Sequence, residues 1–193
     1  GLQNHFSALL DYAERMTREE IATWADGTYT FEDHIDGDGF SDSPLPIRVA
    51  ITVAGDRVLV DYSGSAPQVA AALNSTKSYT NSCTYLSVRC ALKGDIPNNA
   101  GVFRAISVSA PEASILNPVL PAACAARALT GYRVVDAMFG ALAQIVPDRV
   151  PAAGTCHGSA PISIHCATLQ CSLAGSPSAP GGMRSSGSST TSL

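Results

Sequence analysis

Charge is scarce in this 193-residue chain, and positive charge is never concentrated in it. Charged residues make up 15% of the sequence, and 12 basic against 16 acidic side chains give a formal charge of −4. Proteins that bind nucleic acid need clustered positive charge to neutralise phosphates, so the composition argues against a nucleic-acid partner. The apolar runs are a few residues long, far short of the ~20 that cross a bilayer, so we expect no membrane span.

The chain also lacks an export signal at its start. A basic segment followed by an apolar stretch would mark secretion, and the first residues contain neither. We therefore expect a cytoplasmic location, with Cys83, Cys90 and Cys124 as reduced thiols. Because the sequence opens on Gly1 and not on Met, we expect it to be a piece of a longer protein.

Aromatic residues and charge both disappear near residue 154. Residues 155–193 contain one charged side chain, Arg184, no aromatic residue and ten serines. Such a segment buries too little apolar surface to offset its ordering entropy, so we expect a disordered, low-complexity tail behind a folded unit of residues 1–154. Its composition is also typical of a gene translated in the wrong frame, and a genuine divergent tail is the alternative.

The same tail contains cysteine and histidine close together. Thiolate and imidazole are ligands that zinc prefers, but no Cys-x-x-Cys pair is present to hold two thiolates at chelating geometry, so we predict no metal site. The residues concerned are Cys156, His157, His165, Cys166 and Cys171.

Helical and strand periodicities alternate along residues 1–154. Apolar residues at three- and four-residue spacing from Phe6 to Met16 predict a helix, and Thr17 with Glu20 resembles a capping box that would start a short second helix through Trp24. The residues from Tyr29 to Ile35 alternate as in a strand. Residues 47–62 alternate on both sides of Gly55-Asp56, which predicts a β-hairpin with Ile47, Val49, Ile51 and Val53 facing the core.

The later elements are again mixed. Ser82 is placed to cap a helix that ends at Lys93-Gly94, and Val102, Ile106 and Val108 alternate as in a strand. Apolar spacing from Tyr132 to Val146 predicts a helix that Pro147 stops. This order of elements predicts an α+β fold with mixed helices and an antiparallel sheet.

The common signatures of catalysis are absent from the sequence. Residues 32–39 are acidic, but they do not place carboxylates at the spacing of a calcium loop, so a solvated turn is the better interpretation. No phosphate loop, dinucleotide fingerprint, Gly-x-Ser-x-Gly elbow or His-Glu-x-x-His pair occurs.

Four blocks in residues 60–153, taken in order, resemble the hydantoinase B/5-oxoprolinase family. The blocks are Val60-Asp61-Tyr62-Ser63-Gly64-Ser65-Ala66-Pro67-Gln68-Val69 with Leu73-Asn74, Asp95 through Arg104, Pro111 through Ala123, and Thr130 through Ala137 leading to Pro147 through Ala153. The resemblance covers about residues 1–154, as an internal fragment of the much longer family chain. It departs from the family at Ala105, where proline is usual, and after Thr155.

The resemblance implies the B component of an ATP-dependent enzyme that opens cyclic amides such as hydantoins and 5-oxoproline. A ketone carboxylase subunit of the same family is the alternative, and so is an inactive remnant that only binds its partner. It implies an A-type subunit that binds ATP with Mg²⁺, while this fragment binds no cofactor itself. The family's metal-binding histidine and acidic positions lie upstream, so a divalent metal belongs to the full-length protein.

Four polar residues in these blocks are candidates for substrate binding, and each has a structural alternative. Asp61 could orient substrate or cap the following turn. Asn74 and Asn99 could bind a substrate amide through paired donor and acceptor groups, or stabilise turns. Arg104 could hold a carboxylate or phosphate in bidentate fashion, or form a surface salt bridge. No catalytic residue is identified, and we expect the fragment alone to be inactive.

Overall fold

The computed structural model describes residues 2–151, which form helices packed on one mixed sheet. The predictions about residues 155–193, including the cysteine and histidine cluster, lie outside the described residues. The helices are α1 (Leu2–Ile21), α2 (Lys77–Ala91) and α3 (Arg127–Leu142), and the strands are β1 (Gly27–Ile35), β2 (Leu45–Ala54), β3 (Arg57–Asp61) and β4 (Ile106–Ser109). Short 3₁₀ turns span Val102–Ala105 and Pro147–Arg149.

The sheet has the order β1-β2-β3-β4, which confirms the α+β class. The pairings β1–β2 and β2–β3 are antiparallel, as the sequence predicted. The pairing β3–β4 is parallel, with Val58 opposite Ile106 and Asp61 opposite Ser109. Parallel neighbours need a long crossover, and here α2 lies within that connection. The carboxyl ends of β3 and β4 therefore meet at the same edge of the sheet.

The predicted hairpin is confirmed as β2 and β3. Ile47, Val49, Ile51 and Val53 are at most 2% exposed, and they alternate with residues on the opposite, solvent-facing side. Gly55 in the turn has a φ of +59°, a conformation that glycine adopts without strain. The period of two is strong here because one face of the sheet is buried and the other is not.

Helix α3 lies across the buried face of the sheet together with α2. The predicted helix at residues 132–146 is confirmed, although it begins earlier, at Arg127. Met138 and Leu142 are completely buried, whereas Val135 and Ile145 are half-buried. The start was missed because Ala126, at the N-cap position, makes no side-chain capping bond and so leaves no sequence signature.

The predicted capping box at Thr17 and Glu20 is wrong. Helix α1 continues through Thr17 to Ile21 without interruption, and no second helix follows in the described residues before β1. The Thr17 hydroxyl donates to the Ala13 carbonyl at 2.8 Å inside the helix, and Glu20 forms a salt bridge with Arg149. A hydroxyl can bond the preceding turn as readily as it caps the next one, so the local motif did not decide between them.

Two further boundaries differ from the predictions. Helix α2 begins after Thr76, whose hydroxyl accepts from the Tyr79 N–H, while Ser82 lies inside the helix and donates to the Ser78 carbonyl. Val102 belongs to a 3₁₀ turn, and β4 begins at Ile106. In both places serine or valine satisfies a local pattern that the tertiary structure does not use.

Candidate functional site

Two loops leave the edge at which β3 and β4 end, and they contain two of the four family-like blocks. Residues 62–76 follow β3 and residues 110–126 follow β4, and we call them together the loop platform. Backbone hydrogen bonds join the two loops, from the Ile115 N–H to the Ala66 carbonyl and from the Gln68 N–H to the Ala113 carbonyl, both at 2.9 Å. The blocks that are separate in sequence are therefore one hydrogen-bonded unit in the fold.

Side chains reinforce the same unit. The Gln68 amide donates to the Val119 carbonyl at 3.2 Å and accepts from the Val119 N–H at 2.7 Å, as a peptide in a sheet would. The Thr80 hydroxyl on α2 donates to the Leu116 carbonyl at 2.9 Å. Loops held by this many bonds to backbone groups form a rigid surface.

Asn74 lies at the centre of the loop platform and is completely buried. Its amide nitrogen lies 2.7 Å from the Val69 carbonyl, 2.9 Å from the Ala123 carbonyl and 3.1 Å from the Ala71 carbonyl, and its oxygen accepts from the Val69 N–H at 2.9 Å. Both ends of the side chain are thus bonded to backbone. Its contacts fit the structural alternative, and a direct contact with substrate stays a prediction.

We expect Asn74→Ala to destabilise the protein by about 2 kcal/mol, because several buried backbone groups lose their partners together. Asn117→Ala is the matched control, since Asn117 makes one such bond, from its amide nitrogen to the Ala110 carbonyl at 3.0 Å, and should cost about 1 kcal/mol or less. Urea denaturation measures both values. Equal losses in the two variants would show that Asn74 does not organise the platform.

Asp61 lies at the end of β3, where the loop platform begins. Its carboxylate accepts from the Ser63 hydroxyl at 2.9 Å and from the Ser63 N–H at 3.3 Å, so it caps the turn. Gly64, at a φ of +86°, lies against Arg48, whose Cδ would be 3.1 Å from an added Cβ. A substrate role for Asp61 stays a prediction.

Asn99 and Arg104 lie away from Asp61, at the other end of the parallel pair. Arg104 precedes β4, and its guanidinium contacts Asp11 at 2.9 Å and Glu14 at 3.2 Å on α1. Hydrogen bonds from Arg18 and from Arg104 hold the pKa of Glu14 below its usual value. Three residues along a strand separate the two ends by roughly 10 Å. The structure does not bring the four candidate residues into one cluster.

The Asn99 side chain is used on one side only. Its oxygen accepts from the Gly101 N–H at 2.8 Å, which stabilises the turn before β4. Its amide nitrogen is buried and finds no hydrogen-bond partner among residues 2–151. A role of Asn99 or Arg104 in substrate binding stays a prediction.

A charged cleft between β1 and α3 was missed by the sequence analysis. Arg133 contacts Asp33 and Asp136, each at 3.1 Å, beneath the ring of Phe31. Burial raises the pKa of Asp136, and Arg133 opposes that shift. One signal was available, since Arg133 and Asp136 are three apart on a predicted helix, but Asp33 was interpreted as part of a solvated turn.

The described cysteines are free thiols. Cys83 is buried on α2, and burial raises its pKa to about 11, so it is a protonated thiol at neutral pH. Cys90 and Cys124 are half-buried.

Residues 2–151 contain no group of three or more His, Cys, Asp or Glu side chains that could hold a metal ion. In the acidic segment, Asp38 accepts from the N–H groups of Phe40 and Ser41, and these bonds lower its pKa. Within the same range, no helix has the length and hydrophobicity to cross a membrane.

Comparison with known proteins places these loops and clefts in a family. The family model described as hydantoinase B/oxoprolinase matches residues 1–177. The chain belongs to the hydantoinase B/oxoprolinase family. This confirms the resemblance carried by the sequence blocks. The match extends past residue 154, and the domain boundary proposed there stays a prediction.

Individual members of the hydantoinase B family show how much of the family protein this chain represents. The B component of a D-/L-hydantoinase from Pseudomonas sp. (strain NS671) is 37% identical over 155 residues, which is 75% of this chain and 26% of that protein. The crystal structure of an ATP-dependent caprolactamase from Pseudomonas jessenii superposes with a TM-score of 0.69 and 25% identity, over 77% of this chain and 26% of the other. The chain thus spans about a quarter of the length of these relatives.

A second solved structure has the same fold. The nucleotide-free structure of acetone carboxylase superposes with a TM-score of 0.62 and 14% identity, over 74% of this chain and 21% of that one. At this identity the similarity concerns the fold.

Proposed function

We propose that this hydantoinase B segment is part of the B component of an ATP-dependent enzyme that hydrolyses a cyclic amide. The observation that carries the proposal is the 37% identity to the B component of a D-/L-hydantoinase over 155 residues. The ATP-dependent caprolactamase, 25% identical with a TM-score of 0.69, supports the same chemistry, because a lactam is also a cyclic amide.

A ketone carboxylase subunit is the second candidate. The acetone carboxylase structure favours it, since its fold matches this chain with a TM-score of 0.62. The sequence relation is weaker, at 14% identity against 25% for the caprolactamase. We therefore place ring opening of an amide ahead of carboxylation of a ketone.

In this proposal the segment works with an A-type subunit that binds ATP with Mg²⁺ and activates the substrate carbonyl. The sequence contains no glycine-rich phosphate loop, which agrees with that division of labour. No step that involves ATP or a metal is assigned to residues 2–151. Their part is to supply a rigid framework, in which the loop platform fixes the edge of the sheet on which the rest of the B component builds.

The test is a chimera, because the isolated chain is expected to be inactive. The segment of a full-length hydantoinase B component that aligns with this chain is replaced by residues 1–151, and the product is assayed with its A-type subunit, ATP and a hydantoin or 5-oxoproline. We expect ATP-dependent turnover by the chimera and none by the 193-residue chain alone.

Two results would contradict the proposal. Turnover by the isolated chain above a heat-killed control would show that the partner is not needed. A chimera that folds and binds the A-type subunit, but does not open the ring, would support the inactive-remnant alternative. The unmodified B component with its A-type partner is the positive control.

A further inference from the structure

A half-enclosed cleft of about 300 Å³ lies between β1 and α3, away from the loop platform. That volume suits a small organic molecule. Its floor is charged and its walls are apolar. The residues that define it are Phe31, Asp33, Arg133, Asp136, Phe139 and Gly140.

The aromatic wall depends on a glycine within α3. A Cβ at Gly140 would lie 2.5 Å from Cγ of Phe31, so the ring of Phe31 rests directly on the helix backbone. Glycine inside a helix costs roughly 0.5–1 kcal/mol relative to alanine, and here it permits this close approach. Phe31 remains 42% exposed.

The charged floor has a surplus of one negative charge. Arg133 lies 3.1 Å from Asp33 and 3.1 Å from Asp136, so one guanidinium faces two carboxylates. The other oxygen of Asp33 accepts from the His34 N–H at 2.8 Å. The Oδ2 atom of Asp136 is buried, and its contact with Arg133 does not have the geometry of a hydrogen bond. Asp136 thus keeps capacity to accept from a donor within the cleft.

A cyclic amide presents such a donor before and after hydrolysis. The ring nitrogen of the substrate carries an N–H. Hydrolysis adds one water across the C–N bond, with the hydroxyl going to the carbonyl carbon and the hydrogen to the nitrogen. The carboxylic acid then gives its proton to the amine, so that the product carries an ammonium where the ring nitrogen was. A ketone has no equivalent donor.

We propose that the cleft between β1 and α3 binds the nitrogen end of the substrate and product, with Asp136 accepting the N–H or ammonium and Phe31 contacting the adjacent methylene groups. This inference rests on the proposed function and adds a specificity residue to it. A cation over the face of Phe31 gains a further electrostatic contribution. Because it has no nitrogen, a ketone would leave Asp136 without that contact.

The experiment uses the 193-residue chain and n-butylammonium as the probe, with n-butanol as its uncharged counterpart. Backbone amide NMR signals of Phe31 and Gly140 are followed during titration. We expect saturable shifts with n-butylammonium and binding about tenfold weaker with n-butanol, because the ion contact with the carboxylate is absent. This comparison needs no variant.

Asp136→Asn should weaken n-butylammonium binding about tenfold. Asp42→Asn is the matched control, since it removes the same charge from an exposed position outside the cleft and should leave binding unchanged. A thermal melt checks that Asp136→Asn folds, and Asp33→Asn replaces it if it does not. Equal binding of both probes, or equal losses in the Asp136 and Asp42 variants, would overturn the inference.

The outcome is distinguishable from failure of the proposed function. If the chimera opens the ring but n-butylammonium does not shift Phe31 and Gly140, the cleft inference fails and the function stands. If n-butylammonium binds but a folded chimera has no turnover, the assignment of the cleft to product nitrogen is overturned.

Discussion

Replacing Gly101 by alanine is expected to detach helix α1 from the rest of the protein and to cost about 3 kcal/mol of stability. An added Cβ would lie 2.0 Å from the carbonyl oxygen and 2.8 Å from the carbonyl carbon of Leu10, and both are backbone atoms of α1. A side chain can rotate away from such a clash, but a helix backbone must move as a whole. The salt bridges from Arg104 to Asp11 and Glu14 depend on the same approach.

Two effects oppose each other in this variant. The backbone of Gly101 has φ −63° and ψ −37°, which alanine adopts without strain, so the substitution alone would gain about 0.4–1 kcal/mol by restricting the unfolded chain. The backbone overlap is larger, and we expect it to prevail. Hydrogen exchange of α1 amides together with urea denaturation measures the result.

Gly94→Ala is the control for Gly101→Ala. Gly94 has a φ of +85° with nothing near its Cβ position, so it reports conformational strain without a clash. We expect it to cost about 1–2 kcal/mol and to leave hydrogen exchange in α1 unchanged. If Gly101→Ala also leaves the α1 amides protected, the close contact between the turn and the helix is not important for stability.

Leu142→Ala is expected to destabilise the protein by ~2–5 kcal/mol. Leu142 is completely buried where α3 packs on the sheet, and truncation leaves a cavity that the surrounding strands can fill only in part. Chemical denaturation gives the free energy of unfolding directly.

Leu59→Ala provides the matched control for this second substitution. The residue type is the same, but Leu59 is 47% exposed on the open face of the sheet. Its loss should be well below that of Leu142→Ala, since surface truncations usually stay near 0.5 kcal/mol. Similar losses in both variants would contradict the assignment of α3 as the main cover of the sheet.

The sequence predicted best those elements whose signal is local and redundant. The hairpin of residues 47–62 combines two alternating runs with a glycine turn, and α3 repeats its apolar spacing over several turns. Single-residue signals failed. Thr17 and Ser82 were interpreted as caps, yet both donate to carbonyls four residues earlier within their helices.

The candidate site shows the same division. Asp61, Asn74, Asn99 and Arg104 were chosen because they lie in family-like blocks, and the structure distributes them between the loop platform and the turn beside α1. The cleft residues escaped notice because Arg133 and Asp33 are 100 positions apart, and no periodicity links them. A salt bridge between distant elements depends on how α3 is placed on the sheet.

The sequence by itself determined the family, the α+β class and the buried face of the hairpin, because ordered blocks and short-range periodicity carry that information. Only the tertiary structure decided that β3 and β4 run parallel, that Gly101 lies against α1 and that Gly140 supports Phe31. These features depend on close packing between elements far apart in the chain. A glycine required by a neighbouring backbone cannot be distinguished in sequence from a glycine in a turn.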